Sequence, residues 1–325
     1  MNKVEIIGTG SYVPSKVVDN DELSHMVSTD DEWIVSRTGI RERRISKEEN
    51  TSDMATKAAV DAIKSAKIDV NDIQLIVLAT STPDDFIPST ACIVQKNIKA
   101  ANATCFDISA ACSGFVYGID IAAQFIRTGR FSTALVIGAE TLSKVTDWQD
   151  RNTCILFGDG ASAVILQKGD KEGIISISTG SDGSKGDALV CPAVPVNNFL
   201  SKTKVSLNKG TVSMNGKEIF KFAVKILVKL VKEMVVESGY SLKEIKYIIP
   251  HQANYRIIEF VAKKLGINPD KFYTNLDIYG NTSAASIGIA LDEIYKKNLV
   301  KSGDKILIIG FGGGLTYGGI IIEVL

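Results

Sequence analysis

Histidine is almost missing from this 325-residue chain, with only His25 and His251 present. That scarcity leaves little from which to build a histidine metal site. Cysteine does not replace it: the five, at positions 92, 105, 112, 154 and 191, are odd in number, scattered and without a C-x-x-C pair. They make neither a disulfide framework nor a zinc cluster, so no metal is expected. Net charge is absent as well. Lys+Arg and Asp+Glu both number 37, and no global field argues for nucleic acid or a membrane surface as partner. The start, Met1-Asn-Lys3 then Val4-Glu-Ile-Ile-Gly8, lacks the apolar stretch and small-residue cleavage site of a secretory signal. A reducing, cytoplasmic setting is the expectation. One nearly uncharged run, Ile306 to Leu325, is long enough to cross a bilayer. Its glycines, from Gly310 to Gly319, make it read instead as two buried strands, Lys305 to Ile309 and Gly319 to Val324, flanking a glycine loop.

What the chain does have is alternation and repetition. Its length suits about two domains or one large α/β unit with internal symmetry. Strand-like runs (Leu75 to Ala79, Thr104 to Ile108, Ala134 to Ile137) alternate with helical ones (Ser52 to Ala66, Ser113 to Arg127), the order of an α/β protein. The second half echoes the first: Asp72-Ile-Gln-Leu-Ile in Glu244-Ile-Lys-Tyr-Ile, Phe106-Asp-Ile-Ser in Leu276-Asp-Ile-Tyr, and Leu135-Val-Ile-Gly in Leu307-Ile-Ile-Gly. Duplication predicts two halves, 1–170 and 171–325, with the boundary in the polar stretch Lys168 to Gly173. It sets Cys112 opposite Thr282 and lets two strand-to-helix corners share one cleft.

Cys112 lies in Asp107-Ile-Ser-Ala-Ala-Cys112-Ser-Gly-Phe115, where an apolar strand gives way to an apolar helix. Unpaired N–H groups and the helix dipole at such a start favour thiolate and lower a Cys pKa from about 8.5; a free cysteine is also often just a small buried residue. His25 reads as a helix-surface residue. His251 ends the strand Tyr247 to Ile249, follows Pro250 and leads through Gln252-Ala-Asn254 into a helix; strand C-termini are where α/β proteins place ligand sites. Asn281 sits in a glycine-led turn before the helix Ser283 to Lys296 and by itself could be a cap. Together a Cys, a His and an Asn supply a nucleophile and two hydrogen-bond donors. Gly158-Asp-Gly160-Ala-Ser-Ala163 and Gly8-Thr-Gly10 are followed by strand-like residues and fail as dinucleotide fingerprints. Gly312-Gly-Gly314 suits close approach to a substrate and an oxyanion donor. Two basic stripes stand out. Lys217, Lys221, Lys225 and Lys229 recur every fourth residue on a helix from about Gly216 to Glu237, and Arg256, Lys263 and Lys264 share a face opposite Ile257, Phe260 and Val261.

These motifs resemble those of the 3-oxoacyl-[acyl-carrier-protein] synthase III family, initiating condensing enzymes of type II fatty acid synthesis in the thiolase superfamily. The resemblance spans the chain and is carried by Asp31-Glu-Trp33 through Arg43, the Cys112 segment, Phe157-Gly-Asp-Gly160, Pro250-His-Gln-Ala-Asn254, Gly280-Asn-Thr-Ser-Ala-Ala-Ser286 and Phe311-Gly-Gly-Gly314. It implies a five-layered αβαβα fold and a homodimer. It also implies an acyl-CoA primer that acylates Cys112, followed by decarboxylative condensation with malonyl-[acyl-carrier-protein]. By the same resemblance, the Cys112 and Gly313 N–H groups form the oxyanion hole, and His251 and Asn281 bind the malonyl thioester oxygen. Trp33 and Arg151 hold the CoA adenine with Arg37 and Thr38 nearby, and Gly216 and Asn254 line the pantetheine tunnel. Ile87 reaches the partner's acyl pocket, while Lys221, Gln252, Arg256, Lys263 and Lys264 meet the carrier. No cofactor is implied. Ser113 stands where Ala is common, Lys217 where Asn is often seen, and Ile87 where Phe is frequent. Three alternatives remain: acyl transfer from Cys112 to an amine or alcohol, a papain-like hydrolase with the same Cys, His, Asn order, and a carrier-protein adaptor without chemistry.

Overall fold

The computed structural model describes residues 1–196, 198, 200 and 210–325. Along the chain run β1 (Lys3–Tyr12), α1 (Asp31–Thr38), α2 (Thr51–Ala66), β2 (Leu75–Ala79), α3 (Thr90–Ile98), β3 (Thr104–Ile108), α4 (Gly114–Arg127), β4 (Thr133–Glu140) and β5 (Gly160–Gly169). They are followed by β6 (Ile174–Ser181), α5 (Gly216–Ser238), β7 (Ile245–Pro250), α6 (Tyr255–Leu265), α7 (Ser286–Lys296), β8 (Lys305–Gly312) and β9 (Thr316–Glu323). The first sheet has the order β1-β5-β4-β2-β3 and the second β6-β9-β8-β7. In each sheet two antiparallel pairings come first and parallel pairing follows. The place that β3 takes in the first sheet shrinks in the second to one parallel bridge between Ile248 and Phe272. Leu276–Tyr279 is accordingly a helical turn. Its likeness to Phe106-Asp-Ile-Ser is one of letters, because Phe272 has already taken the strand position.

Five layers follow from which faces are apolar. β2 and β4 are buried at every residue, as strands covered on both sides must be. Between the sheets lie α4 and α7. Phe115, Val116, Ile119 and Ile126 of α4 and Ile287, Leu291 and Ile294 of α7 pack against strands of both sheets, each side chain stabilising the stack by roughly 1.5–3 kcal/mol. The first sheet's outer face is covered by α2 and α3, the second's by α5 and α6. The stack is thus the expected αβαβα sandwich of two duplicated halves. Gly8 and Gly10 belong to this packing: a Cβ on Gly10 would stand 2.3 Å from the Ala62 nitrogen of α2, so these glycines let helix and strand approach.

Two sequence expectations change here. The glycine loop is shorter than predicted, since β8 runs on to Gly312 and β9 begins at Thr316. Gly310, Gly312 and Gly318 sit within paired strands because the middle layer presses on them; a Cβ on Gly318 would lie 2.9 Å from Val116 Cγ1. The duplication register also moves. Ala111 at φ +47° and Ser283 at φ +48° are matching left-handed corners, which pairs Cys112 with Ala284 and not with Thr282. Among the described residues, no helix is long and apolar enough to cross a membrane.

Candidate active site

The chain leaves β3 and turns sharply at Ala111, a non-glycine residue held in the left-handed region where strain is stored at functional corners. A 3-10 turn, Ala111–Ser113, then feeds α4. Cys112 is thereby set at the start of a central helix, 8% exposed on the wall of a cavity of about 450 Å³. The Ser113 hydroxyl donates to the Ala110 carbonyl at 2.9 Å and meets Thr316 Oγ1 at 2.5 Å, so Ser113 ties the Cys112 turn to the glycine turn. There Gly312 approaches so closely that a Cβ would lie 2.6 Å from the Cys112 nitrogen, and Gly313 lines the same cavity. The expected lowering of the thiol pKa does not survive enclosure. Burial pushes the Cys112 thiol up to about 12; a hydrogen bond to Ser283 opposes the rise, and the nearby Glu140 charge adds to it. A fractional helix charge is outweighed by removing a full charge from water.

His251 extends β7 by one residue, its N–H donating to the Ile309 carbonyl at 2.7 Å, and its ring meets Phe311 edge-on at 5.4 Å. It is 2% exposed, and burial pushes its pKa down to about 3, so the imidazole is neutral. Nδ1 lies 2.8 Å from Ser286 Oγ. That oxygen already accepts from the Gln252 N–H at 3.4 Å, and we assign its own proton to Nδ1. The ring proton then sits on Nε2, and His251 can donate from that atom.

Asn281 is held from three sides. Its N–H donates to the Leu156 carbonyl at 2.8 Å and its carbonyl accepts from the Gly158 N–H at 3.0 Å. Its side-chain Oδ1 accepts from the Ser283 N–H at 2.9 Å, which leaves the amide NH2 as the donor end. Gly158 is required here because a Cβ would stand 2.3 Å from the Tyr279 carbonyl. The next residue, Asp159, accepts from the Ser46 and Ser143 N–H groups at 2.8 and 2.9 Å. The Phe157-Gly-Asp-Gly160 motif is therefore a backstop for Asn281. Cys112, His251 and Asn281 line one cavity together with Gly313, Gly216 and Asn254.

The remaining sequence-derived residues divide. The Arg151 guanidinium lies 4.5 Å and that of Arg37 5.5 Å from the Trp33 ring centroid, a cation–aromatic cluster set by α1. Asn254 caps α6 through its Oδ1 and donates from Nδ2 to the Arg37 carbonyl at 3.0 Å, joining that cluster to the cavity rim. Lys221, Arg256, Lys263 and Lys264 are exposed, as is Ile87 at 89%. Gln252, expected to meet a carrier, does not share the exposed face of Lys221, Arg256, Lys263 and Lys264. It is 1% exposed, donates to the Pro250 and Tyr273 carbonyls at 2.7 and 3.2 Å, and accepts from the Asn275 N–H at 3.1 Å. Thr38 is equally enclosed, its hydroxyl donating to the Ile34 carbonyl at 2.7 Å, so it stabilises α1 and does not face a ligand. Phe260, placed with the core by its spacing, is 45% exposed.

Sequence reasoning missed Glu140, Ser283 and Ser286. Glu140 is fully buried and accepts from the Ser81 N–H at 3.1 Å, Thr82 Oγ1 at 2.6 Å and Ser283 Oγ at 3.0 Å; burial pushes its pKa up. It anchors the loop after β2 to the Ser283 corner. The serines lie inside Gly280-Asn-Thr-Ser-Ala-Ala-Ser286, but only a fold reveals what each hydroxyl meets. Among the described residues, no group of three His, Cys, Asp or Glu side chains could hold a metal.

The chain as a whole is similar to known proteins. Residues 106–183 match the family model for 3-oxoacyl-[acyl-carrier-protein (ACP)] synthase III and residues 235–324 that for its C-terminal region. Beta-ketoacyl-[acyl-carrier-protein] synthase III of Clostridium kluyveri is 70% identical over 325 residues, all of both chains. Among solved structures, 3-oxoacyl-[acyl-carrier-protein] synthase III from Aquifex aeolicus superposes with a TM-score of 0.92 at 45% identity, covering 99% of this chain and 100% of that one. The priming beta-ketosynthase of the R1128 polyketide pathway reaches 0.93 at 33% identity, covering 99% and 96%. With a buried thiol, a neutral imidazole and a primary amide facing one cavity, and with full-length relatives at such identity, the chain belongs to the 3-oxoacyl-[acyl-carrier-protein] synthase III family of condensing acyltransferases.

Proposed function

We propose that the enzyme starts fatty acid synthesis by joining an acyl-CoA primer to malonyl-[acyl-carrier-protein], with Cys112 as nucleophile and His251 and Asn281 as hydrogen-bond donors. The observation that carries this reading is the convergence of these three residues on one cavity beside Gly313. In the first half-reaction the Cys112 sulfur attacks the primer's carbonyl, its proton passes to the departing CoA sulfur, and the N–H groups of Cys112 and Gly313 stabilise the oxyanion. In the second, loss of CO2 leaves negative charge on the malonyl thioester oxygen, where His251 Nε2–H and the Asn281 amide stabilise the enolate. The carbanion attacks the acyl-Cys112 carbonyl, the Cys112 sulfur leaves as thiolate and regains its proton from water, and 3-oxoacyl-carrier protein is released. No step calls on a metal or redox cofactor.

Residues 1–170 supply the nucleophile and 171–325 the donors. Trp33 and Arg151 hold the adenine once they part to admit it, Arg37 lies beside them, and Gly216 and Asn254 guide the pantetheine arm. Lys221, Arg256, Lys263 and Lys264 meet the acidic carrier. Exposed Ile87 supports a homodimer in which it reaches the partner's acyl pocket. Five free cysteines support a reducing, cytoplasmic setting. Intact-protein mass spectrometry with acetyl-, isobutyryl- and octanoyl-CoA, followed by malonyl-carrier protein, tests the reading. The expected result is an acyl mass on Cys112 that becomes 3-oxoacyl-carrier protein; His251→Ala and Asn281→Ala still acylate but release no CO2. An adduct that malonyl-carrier protein cannot discharge would move the assignment to acyl transfer onto an amine or alcohol.

A further inference from the structure

Phe260 emerges from α6 in the midst of charge. At 100° per residue its direction falls between those of Arg256 and Lys264, with Lys263 alongside, so the ring lies within the cationic face and not opposite it. It is held in place: Phe260 meets Phe220 of α5 edge-on, centroids 5.4 Å apart at 85°, and Phe220 lines the cavity. On the same two helices Lys217 and Lys221 of α5 and Arg256, Lys263 and Lys264 of α6 are exposed, whereas Lys225 lies toward Asp182. The carboxylates on these stretches are Glu218, tied to Lys221 at 2.8 Å, and Glu259. In a chain whose charges balance at 37 to 37, this is a local positive excess with an aromatic centre at the cavity mouth.

A charged rim around a solvent-exposed aromatic is the anatomy of a protein-binding surface: the rim steers the encounter and the ring supplies the buried anchor. We propose that Phe260, braced by Phe220, is the apolar anchor on which an acidic carrier protein seats while its thioester arm enters the cavity. The inference rests on the carrier reading above and adds to it a side chain whose contribution does not depend on charge.

The test compares Phe260→Ala, Phe260→Leu and Arg256→Glu in steady-state condensation with malonyl-carrier protein, and in Cys112 acylation by acyl-CoA alone. Phe260→Ala is expected to raise the carrier KM about thirtyfold, the lower edge of an interface hot spot, and Phe260→Leu to recover most of the loss; acylation stays at the parent rate in both. In about 0.5 M salt, where exposed charges are screened within a few ångström, the Arg256→Glu defect should shrink and the Phe260→Ala defect persist. A carrier KM unchanged by Phe260→Ala but raised by Arg256→Glu overturns the anchor and leaves the carrier reading standing. A KM unchanged by either overturns both, and equal loss of acylation would show that Phe260 braces the fold.

Discussion

At rest the site holds a neutral thiol and a neutral imidazole. Burial raises Cys112 to about 12 and lowers His251 to about 3, so a thiolate–imidazolium pair of the kind found in cysteine hydrolases has no support from either partner. Alkylation of Cys112 by iodoacetamide should therefore climb about tenfold per pH unit from pH 7 to 10, since only the thiolate reacts. A plateau beginning near neutrality would show the pair instead. The same burial has a consequence for stability. In the unfolded chain His251 takes up its proton near pH 6.5, whereas in the folded state it stays neutral down to about 3. Its neutral burial costs nothing extra above pH 6.5. As pH falls through the window from 6.5 to 3, the unfolded state alone binds the proton and stability drops by about 1.4 kcal/mol per unit. His251→Asn removes that slope. Urea unfolding at pH 6.5 and 5 should show the parent losing about 2 kcal/mol more than the variant, with every other group common to both; parallel losses would mean that His251 is protonated in the folded enzyme.

Elements hold these residues in register, and the corner at Asn281 depends on a glycine in another segment. Gly158→Ala puts a Cβ 2.3 Å from the Tyr279 carbonyl, backbone that cannot swing aside. The expected result is a shifted Asn281, CO2 release lowered tenfold or more, and Cys112 still acylated, read by the two half-reactions separately. Retained decarboxylation would mean that the backstop yields. The example shows what was legible in the sequence. Strands and helices such as β2, α4 and α5 were readable almost to the residue, whereas β4 runs from Thr133 to Glu140 and was read only from Ala134 to Ile137. Three junction residues of chemically distinctive type, Cys112, His251 and Asn281, line one cavity. The close-approach glycines were not readable: Gly312 and Gly318 read as loop formers because the sequence does not say which neighbour presses on them. Gln252 and Phe260 failed for the same reason in opposite directions. An amide next to His251 looks exposed until Pro250, Tyr273 and Asn275 are seen to occupy it. A phenylalanine in an amphipathic helix looks buried until its angle to Arg256 and Lys264 is drawn.

At the scale of the whole molecule, among the described residues the first sheet ends in β3, which pairs there with β2 alone, and Cys105 to Ile108 remain partly accessible. Beside that open edge the chain displays two large apolar side chains, Phe86 at 76% and Ile87 at 89% exposure. The segment carrying them is fixed against β3: just beyond it, at the start of α3, the Thr90 and Ala91 N–H groups each donate to Asp107 at 2.7 Å. Natural sheets seldom leave such an edge uncovered and unguarded by charge, and a second copy offering the same edge in reverse satisfies both the strand and the apolar pair through one twofold axis. The proposed homodimer thus has a definite seat. If the proposed dimer places Ile87 in the partner's acyl pocket, the double variant Phe86→Ser, Ile87→Ser should shift sedimentation from dimer toward monomer at micromolar concentration and lower Cys112 acylation by long primers before short ones. If sedimentation and primer preference both stay as in the parent, the association lies on another face, and Ile87 cannot be the residue that limits primer length.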